Sequence, residues 1–421
     1  MQFSQFGDFL AGGSGIVQLM EDLGGAAHSE QPVYMLGGGN PGAIPQIQTY
    51  LQSAMANLLK QPDLFNSMTG SYDSPNGDAG FRQAIASFLN DQYGWQISLE
   101  HIAVTNGSQS SFFTLFNTFS GQYADGKQRK ILLPLTPEYI GYTDTGFGKD
   151  LFVSNQPTIE LLDDHMFKYH VDLPKLNIDE QIGAVCVSRP TNPTGNVLTN
   201  QEIEILRHEC RTQGIPLIID GAYGTPFPNI IFTEAVPIWD HGIILCLSLS
   251  KLGLPGVRTG IVIADPALIQ VISASNAILS LAPGSFGPSL LTEAVNSGDI
   301  KRLSDNYVKP FYFQKVQQTV SLLHERLRGL PYHIHQPEGA IFLWLWLEDL
   351  PITSNELYNR LKQRGVYVIA GEHFFPGLPD NGQWRHRHEC LRLSYAQDIE
   401  VVTKGLEIIE DEVRKAYSES L

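Results

Sequence analysis

Cysteine is scarce in this chain. The four thiols in 421 residues, Cys186, Cys210, Cys246 and Cys390, show no Cys-x-x-Cys spacing. Neither a disulfide framework nor a cysteine-rich metal site is written into such a pattern, and reduced, buried thiols in a cytoplasmic protein are expected. Basic residues are also in deficit: 28 Lys and Arg stand against 44 Asp and Glu, for a net charge of −16. A surface of that sign repels phosphate backbones and anionic lipids, which excludes nucleic acid and membrane as expected partners. No apolar run reaches the ~20 residues that span a bilayer; Ile341-Phe-Leu-Trp-Leu-Trp-Leu347 is strand-sized. Phe9 to Met20 has no basic lead-in and is broken by Gly and Ser, unlike a secretory leader. Internal repeats and low-complexity tracts are missing as well.

What is present is a 43% hydrophobic chain with only 17% charged residues. That composition supports a large core or two packed domains and argues against disorder. Ser14 to Leu23 carries apolar positions at Ile16, Val17, Leu19, Met20 and Leu23 behind a Ser cap, and reads as a short amphipathic helix. From about residue 78 to 275, strand-like apolar runs alternate with helical patterns. The predicted strands are Ile102–Thr105, Lys130–Pro134, Ala184–Ser188, Leu217–Asp220, Ile243–Leu247 and Gly260–Ala264, with a helix start at Thr199-Asn-Gln-Glu202. Such alternation predicts a doubly wound, mostly parallel sheet. A long helix over Val308–Leu327, then Gly339–Leu347, an amphipathic stretch near 354–363, Val366–Ala370 and Leu391–Ser394 predict a second α+β unit. The Gly/Pro-rich stretch Leu281–Pro288 lies near the boundary between the two.

Chemistry concentrates where predicted strands end, the position at which open α/β sheets bind ligands. Ser248-Leu-Ser-Lys-Leu-Gly-Leu-Pro-Gly-Val-Arg258 follows a buried strand. A lysine between serines, a Gly/Pro turn and an arginine suit an aldehyde-and-phosphate ligand: Lys251 can form a Schiff base, while Ser248 and Arg258 bracket a phosphate. Pyridoxal 5′-phosphate (PLP) is the cofactor this describes. Asn106-Gly107-Ser108-Gln109 opens a helix whose free amides suit a phosphate, although ordinary capping explains it equally. Pro190 and Pro193 fix an extended backbone around Asn192, whose amide can donate to a ring phenolate. Asp220 at a buried strand tip needs a partner, which a pyridinium nitrogen supplies, and Tyr223 can donate to the phenolate. Tyr139 in Pro137-Glu-Tyr139 is either a ring stack or a core aromatic. Arg392, inside a strand pattern, calls for a carboxylate, either a substrate's or a structural one. His386, His388 and Cys390 sit beside Arg385 and Arg387, which points to an exposed charged loop rather than a metal site.

Together, in order, Tyr72 with Gly77…Gly80-Phe-Arg82, Gly107-Ser-Gln109, Pro137-Glu-Tyr139, Asn192-Pro-Thr-Gly195, Asp220-Gly-Ala-Tyr223, Ser248-Leu-Ser-Lys251, Arg258 and Arg392 resemble the fold-type I PLP-dependent aminotransferases, the aspartate aminotransferase superfamily of class I/II. Leu36-Gly-Gly-Gly-Asn-Pro41, Ser188-Arg-Pro-Thr-Asn-Pro-Thr-Gly195 and Ser250-Lys-Leu-Gly-Leu-Pro-Gly256 resemble the branch of that family that works on valine and pyruvate. The resemblance implies an N-terminal segment, 1–50, packing with the small domain, a large PLP-binding domain over 51–300, and a small α+β domain over 301–421. It implies that Lys251 is the Schiff-base lysine and proton carrier and that Asp220 meets the pyridine nitrogen. Asn192 and Tyr223 would bond the ring oxygen. Ser108, Gln109, Ser248 and Arg258 would hold the phosphate, with Tyr72 coming from the neighbouring subunit. Tyr139 would stack on the ring, and Arg392 would take the substrate carboxylate with the Gly38–Gly39 backbone assisting. Homodimers with shared sites follow from the same resemblance. The implied reaction moves an amino group between a neutral amino acid and a 2-oxo acid such as pyruvate; the alternative is a β-elimination or synthase reaction on the same fold. A transcription regulator built on this fold would need a basic DNA-binding domain, against which the acidic balance argues.

Overall fold

The computed structural model describes residues 2–12, 15–26, 32–147 and 150–419. Its main sheet runs in the order Ile102–Thr105, Gly260–Ile263, Ile243–Ser248, Leu217–Asp220, Ile182–Ser188, Gln128–Leu133 and Gly121–Gln122, with Phe152–Ser154 also paired to Gln128–Leu133. The pairings from Ile243–Ser248 through to Gln128–Leu133 are parallel, whereas Gly260–Ile263 is antiparallel to both its neighbours. The central strands are buried along their whole length. This is why each reads as a continuous apolar run: a parallel sheet covered on both faces has no polar side to alternate with.

The connecting helices are set by their ends. Thr199 caps Asn200–Gln213 in a reciprocal box with Glu202, and Gly214 closes it in the left-handed conformation. Ile203, Leu206 and Cys210 are the face this helix buries. The expected N-terminal helix is present as Gly15–Ala26; its expected cap, Ser14, lies outside the described residues. Gly15–Ala26 packs against the turn Ile140–Tyr142. The short strand Tyr34–Met35 pairs instead with Val366–Tyr367.

The second sheet is ordered Ile369–Ala370, Cys390–Ser394, Phe342–Leu347, Tyr332–His335, Met166–His170 and Thr158–Leu161. Its last two strands come from the middle of the chain, and Ile334 pairs in parallel with Met166. The second sheet therefore draws on the 51–300 stretch as well as on 301–421. One sequence expectation is corrected here. The Arg385–His388 turn is not an exposed charged loop: His386 and Arg387 are buried, His388 is half-buried, and Arg385 projects outward. Aromatic rings account for this, since His386 lies among Tyr169, Trp346 and Trp384, and the Arg387 guanidinium sits 5.2 Å over Phe375. The four cysteines are free and buried. Among the described residues no helix is long and apolar enough to cross a membrane.

Candidate active site

Parallel pairing brings the strand tips Ser188, Asp220 and Cys246 side by side, with Ser248 two residues beyond. Above them opens a cavity of about 710 Å³. Ser108, Gln109, Tyr139, Asn192, Asp220, Tyr223, Ser248, Lys251, Arg258, Gly39 and Arg392 all line it. Residues more than 280 positions apart in sequence thus converge on one space. Gly38 is buried beside the cavity rather than in its wall. Tyr72 stays outside, 81% exposed on the surface of the chain.

One end of the cavity is built for an anion. The helix Ser108–Phe119 starts there, preceded by Gly107 at φ +88° and ψ 156°, a backbone region closed to residues with a side chain. A Cβ on Gly107 would also overlap the Arg258 guanidinium. The backbone amides of the helix start, the buried Ser248 hydroxyl and Arg258 therefore share one small cradle. The Gln109 side chain is committed elsewhere, donating to the Gly141 carbonyl at 2.8 Å.

Lys251 follows the strand Ile243–Ser248 in a single 3₁₀ turn, Ser250–Leu252. Its Nζ donates to the Gly39 carbonyl at 2.5 Å and lies 5.4 Å from the Tyr223 ring centroid. Loss of hydration, reinforced by Arg392 and Arg258, pulls the ammonium down to about 8, with Asp220 opposing. A neutral amine, able to act as nucleophile or base, is thus accessible near neutral pH.

Asp220 is buried, its carboxyl raised by that burial. It accepts from the Tyr142 hydroxyl at 2.7 Å and from the Ala222 amide at 2.9 Å. Arg392 is buried too, its guanidinium lowered to about 10 by lost hydration. It donates to Asn192 Oδ1 at 2.8 Å and to the Gly37 carbonyl at 2.5 Å, and the Phe342 ring lies 4.0 Å from its Cζ. Its Nε has no acceptor, and it pairs with no carboxylate among the described residues. A buried guanidinium held only by neutral acceptors is a waiting site for an anion.

Two residues that sequence reading left without a role also belong here. Glu138 is fully buried, meeting the Ser188 amide at 2.8 Å and the Ser188 hydroxyl at 2.6 Å. Tyr142 links Ser188 to Asp220. The signal was available for Glu138: a carboxylate between Pro137 and an aromatic, just beyond a buried strand, is almost never left without partners.

The family model for aminotransferase class I and II matches residues 48–409. The chain belongs to that family. Class I and II aminotransferases similar to it include the valine–pyruvate aminotransferase of Escherichia coli K12, 49% identical over 420 residues and covering all of both chains. The solved valine–pyruvate aminotransferase of Salmonella typhimurium LT2 is 47% identical, with a TM-score of 0.88 over 96% of this chain and all of that one. A structure from Psychrobacter arcticum 273-4 superposes with a TM-score of 0.96 at 46% identity, over 99% of each chain. This aminotransferase chain accordingly carries the α/β fold that its sequence pattern predicts, and transamination, rather than elimination, is the reaction of its family.

Proposed function

We propose that this aminotransferase uses PLP to exchange an amino group between a neutral L-amino acid of the valine or alanine type and a 2-oxo acid such as pyruvate. The observation that carries the substrate class is the cation inventory of the cavity. Among the described residues its wall holds Lys251, Arg258 and Arg392 and no other Lys or Arg. Lysine suits a cofactor carbonyl, Arg258 in its cradle suits a phosphate, and Arg392 suits the α-carboxylate, so no cation is left for a second, side-chain carboxylate. Toward the N-terminal helix the wall is apolar, with Ile16, Met20, Val33 and Met35.

The residues fit PLP. The glycine-shaped cradle matches a phosphate, the orphaned Arg392 Nε matches a carboxylate, and the buried Asp220 matches a ring nitrogen cation. Ser108, Ser248 and Arg258 would hold the phosphate, with Gln109 contributing its backbone amide, and Tyr139 would cover the ring. Asn192 Oδ1 is engaged by Arg392, so the amide hydrogens are what Asn192 has left for a ring oxygen, alongside the Tyr223 hydroxyl. PLP, when bound, supplies an electron sink for the bond cleaved at Cα. Lys251 serves as the base that takes the Cα proton, its reduced basicity suiting it to neutral pH. Arg392 fixes the substrate by its carboxylate, which is where orientation contributes to rate.

The reading extends to assembly. Tyr72 is exposed, as are the apolar Ile278, Leu279 and Leu281, each more than half accessible in the isolated chain. The 280–284 segment bonds Asn106 beside the phosphate cradle. A homodimer burying this surface would bring a second chain to the cradle, which is where Tyr72 would act. Free, buried cysteines and the acidic surface support a cytoplasmic setting. The deciding experiment is a panel of amino donors against pyruvate, with product detection. Valine and alanine should lead. A second carboxylate buried without a partner costs several kcal/mol, or about a thousandfold in kcat/KM, so a panel led by aspartate or glutamate would overturn the neutral-pocket reading.

A further inference from the structure

Below the cavity floor, four side chains from three segments form an unbroken polar line. Glu138 Oε2 lies 2.6 Å from Ser188 Oγ, Ser188 Oγ lies 3.2 Å from the Tyr142 hydroxyl, and that hydroxyl lies 2.7 Å from Asp220 Oδ2. Glu138, Ser188, Tyr142 and Asp220 are all buried. The line needs three protons, one for each oxygen–oxygen link. Ser188 and Tyr142 bring one each. With both carboxyl groups ionised, one link would press lone pairs together without a hydrogen, inside a site too dry to tolerate it. A single further proton, on Glu138 or on Asp220, completes the line.

The surroundings decide which. Asp220 faces the Lys251 ammonium and receives the Ala222 amide. Among the described residues Glu138 has no cation beside it; those that face it are Ser188 and Cys186 of one strand, Asp220 of the next, and Tyr139 and Tyr142 of its own turn. We propose that Glu138 is a neutral carboxylic acid, the donor end of a one-way hydrogen-bond line through Ser188 and Tyr142 that holds Asp220 as an anion aimed into the cavity. Glu138 Oε1 then acts as the acid's carbonyl, taking the Ser188 amide at 2.8 Å, while its hydroxyl donates to Ser188 Oγ. Burial, the largest influence, lifts this carboxyl to about 8, in agreement with that assignment.

Glu138 is in this account a positioning residue. It touches neither the cavity nor a reacting atom, and it acts by fixing which way Tyr142 turns its proton. Without the line, Tyr142 could donate to Ser188 and leave Asp220 short of a donor. The partnership of Asp220 with a ring nitrogen rests on the proposed function. The position of the proton does not, so a measurement on cofactor-free protein separates the two.

That measurement is infrared difference spectroscopy of the cofactor-free protein at neutral pH. A protonated-carboxyl C=O band should be present in the wild type, persist in Asp220→Asn and vanish in Glu138→Gln. A band that survives Glu138→Gln and vanishes in Asp220→Asn would place the proton on Asp220, and a wild type with no such band would leave Glu138 ionised; either overturns the proposal. Because a Gln amide can both accept from the Ser188 backbone and donate to its hydroxyl, Glu138→Gln should fold and bind PLP within about twofold of wild type. A variant that fails to fold, or that binds PLP more than about tenfold more weakly, would show that Gln cannot replace the group and would count against a neutral acid. Ser188→Ala supplies an independent reading: removing the acceptor should shift the Glu138 band to higher frequency, and an unmoved band would break the line at its first link.

Discussion

Replacing Arg392 with methionine should separate stability from function in opposite directions. Its guanidinium is buried, bonded among the described residues only to Asn192 Oδ1 and the Gly37 carbonyl, and flanked by Phe342 and Phe374. Lost hydration pulls it down from the ordinary guanidinium value to about 10. At about 1.4 kcal/mol per pH unit, this is roughly 3 kcal/mol set against the folded, ligand-free protein. The folded value lies below the unfolded one, so the penalty is present in full below about pH 10. Methionine has similar bulk and no charge. It would lift that penalty while leaving two acceptors without a donor, at about 1 kcal/mol each. The balance is a gain of about 1 kcal/mol, a rise in Tm of about 1–3 °C by calorimetry on cofactor-free protein. Turnover should go the other way. A substrate carboxylate left in the cavity without its partner loses about 3–5 kcal/mol, so kcat/KM should fall by about two to four orders of magnitude for every donor. Arg392→Lys keeps the charge and loses the fork, and should raise KM about 10- to 100-fold for all donors alike. A methionine variant that loses several degrees and keeps its kcat/KM would refute the reasoning, making Arg392 a structural cation.

Three further outcomes follow from the same geometry. Asp220→Asn should still bind PLP but lose at least about 10²-fold in kcat, because an amide cannot hold a ring-nitrogen proton; near-normal turnover in steady-state assays would reduce Asp220 to a strand-end anchor for the Ala222 amide. PLP capture by the cofactor-free protein needs neutral Lys251, so its rate should climb with pH and level off above about 8; stopped-flow traces still rising steeply beyond pH 10 would contradict the desolvated amine. Gly107→Ala forces a side chain into a glycine-only backbone region, at about 1–3 kcal/mol, and into Arg258; equilibrium titration should show PLP affinity down at least about tenfold, and unchanged affinity would remove Arg258 from the phosphate cradle.

The fold was readable where burial is two-sided. The central strands are covered on both faces, so each announces itself as an apolar run bounded by turn residues, and the chemistry at their tips follows from the α/β rule. The other sheet was only half visible for the converse reason. Thr158-Ile-Glu-Leu161 is an edge strand with mostly exposed side chains and carries no such run, so its pairing across to Met166–His170 and on to Tyr332–His335 left no local trace. Likewise, four charged or titratable residues in a row at Arg385–His388 look like a surface turn; only the rings of Tyr169, Trp346, Trp384 and Phe375, from three different segments, make the interior hospitable to two of them. Glu138 and Tyr142 sit four residues apart, but their meaning depends on Ser188 and Asp220, which lie 50 and 78 positions downstream of them.

Taken as electrostatics, the cavity is an exception within its own molecule. The chain carries a net charge of −16, yet among the described residues its pocket wall presents Lys251, Arg258 and Arg392 against the single carboxylate of Asp220. Among the described residues each of those cations donates its hydrogen bonds to carbonyl or amide oxygens: Gly39 for lysine, Pro255 for Arg258, Gly37 and Asn192 for Arg392. Lys251 and Arg392 lose hydration on folding, and Arg392 gains no countercharge among the described residues, which destabilises the empty protein and favours anionic ligands. A phosphate at one end and a carboxylate at the other restore the balance, whereas a second carboxylate overshoots it. Substrate choice, cofactor affinity and the marginal stability of the empty cavity are in this sense one quantity, and a donor that raises Tm most in the cofactor-loaded protein should also be the one with the highest kcat/KM. Calorimetry across the donor panel tests this directly. A lack of any correlation between the two rankings would show that side-chain fit, and not charge balance at Arg392, sets the preference.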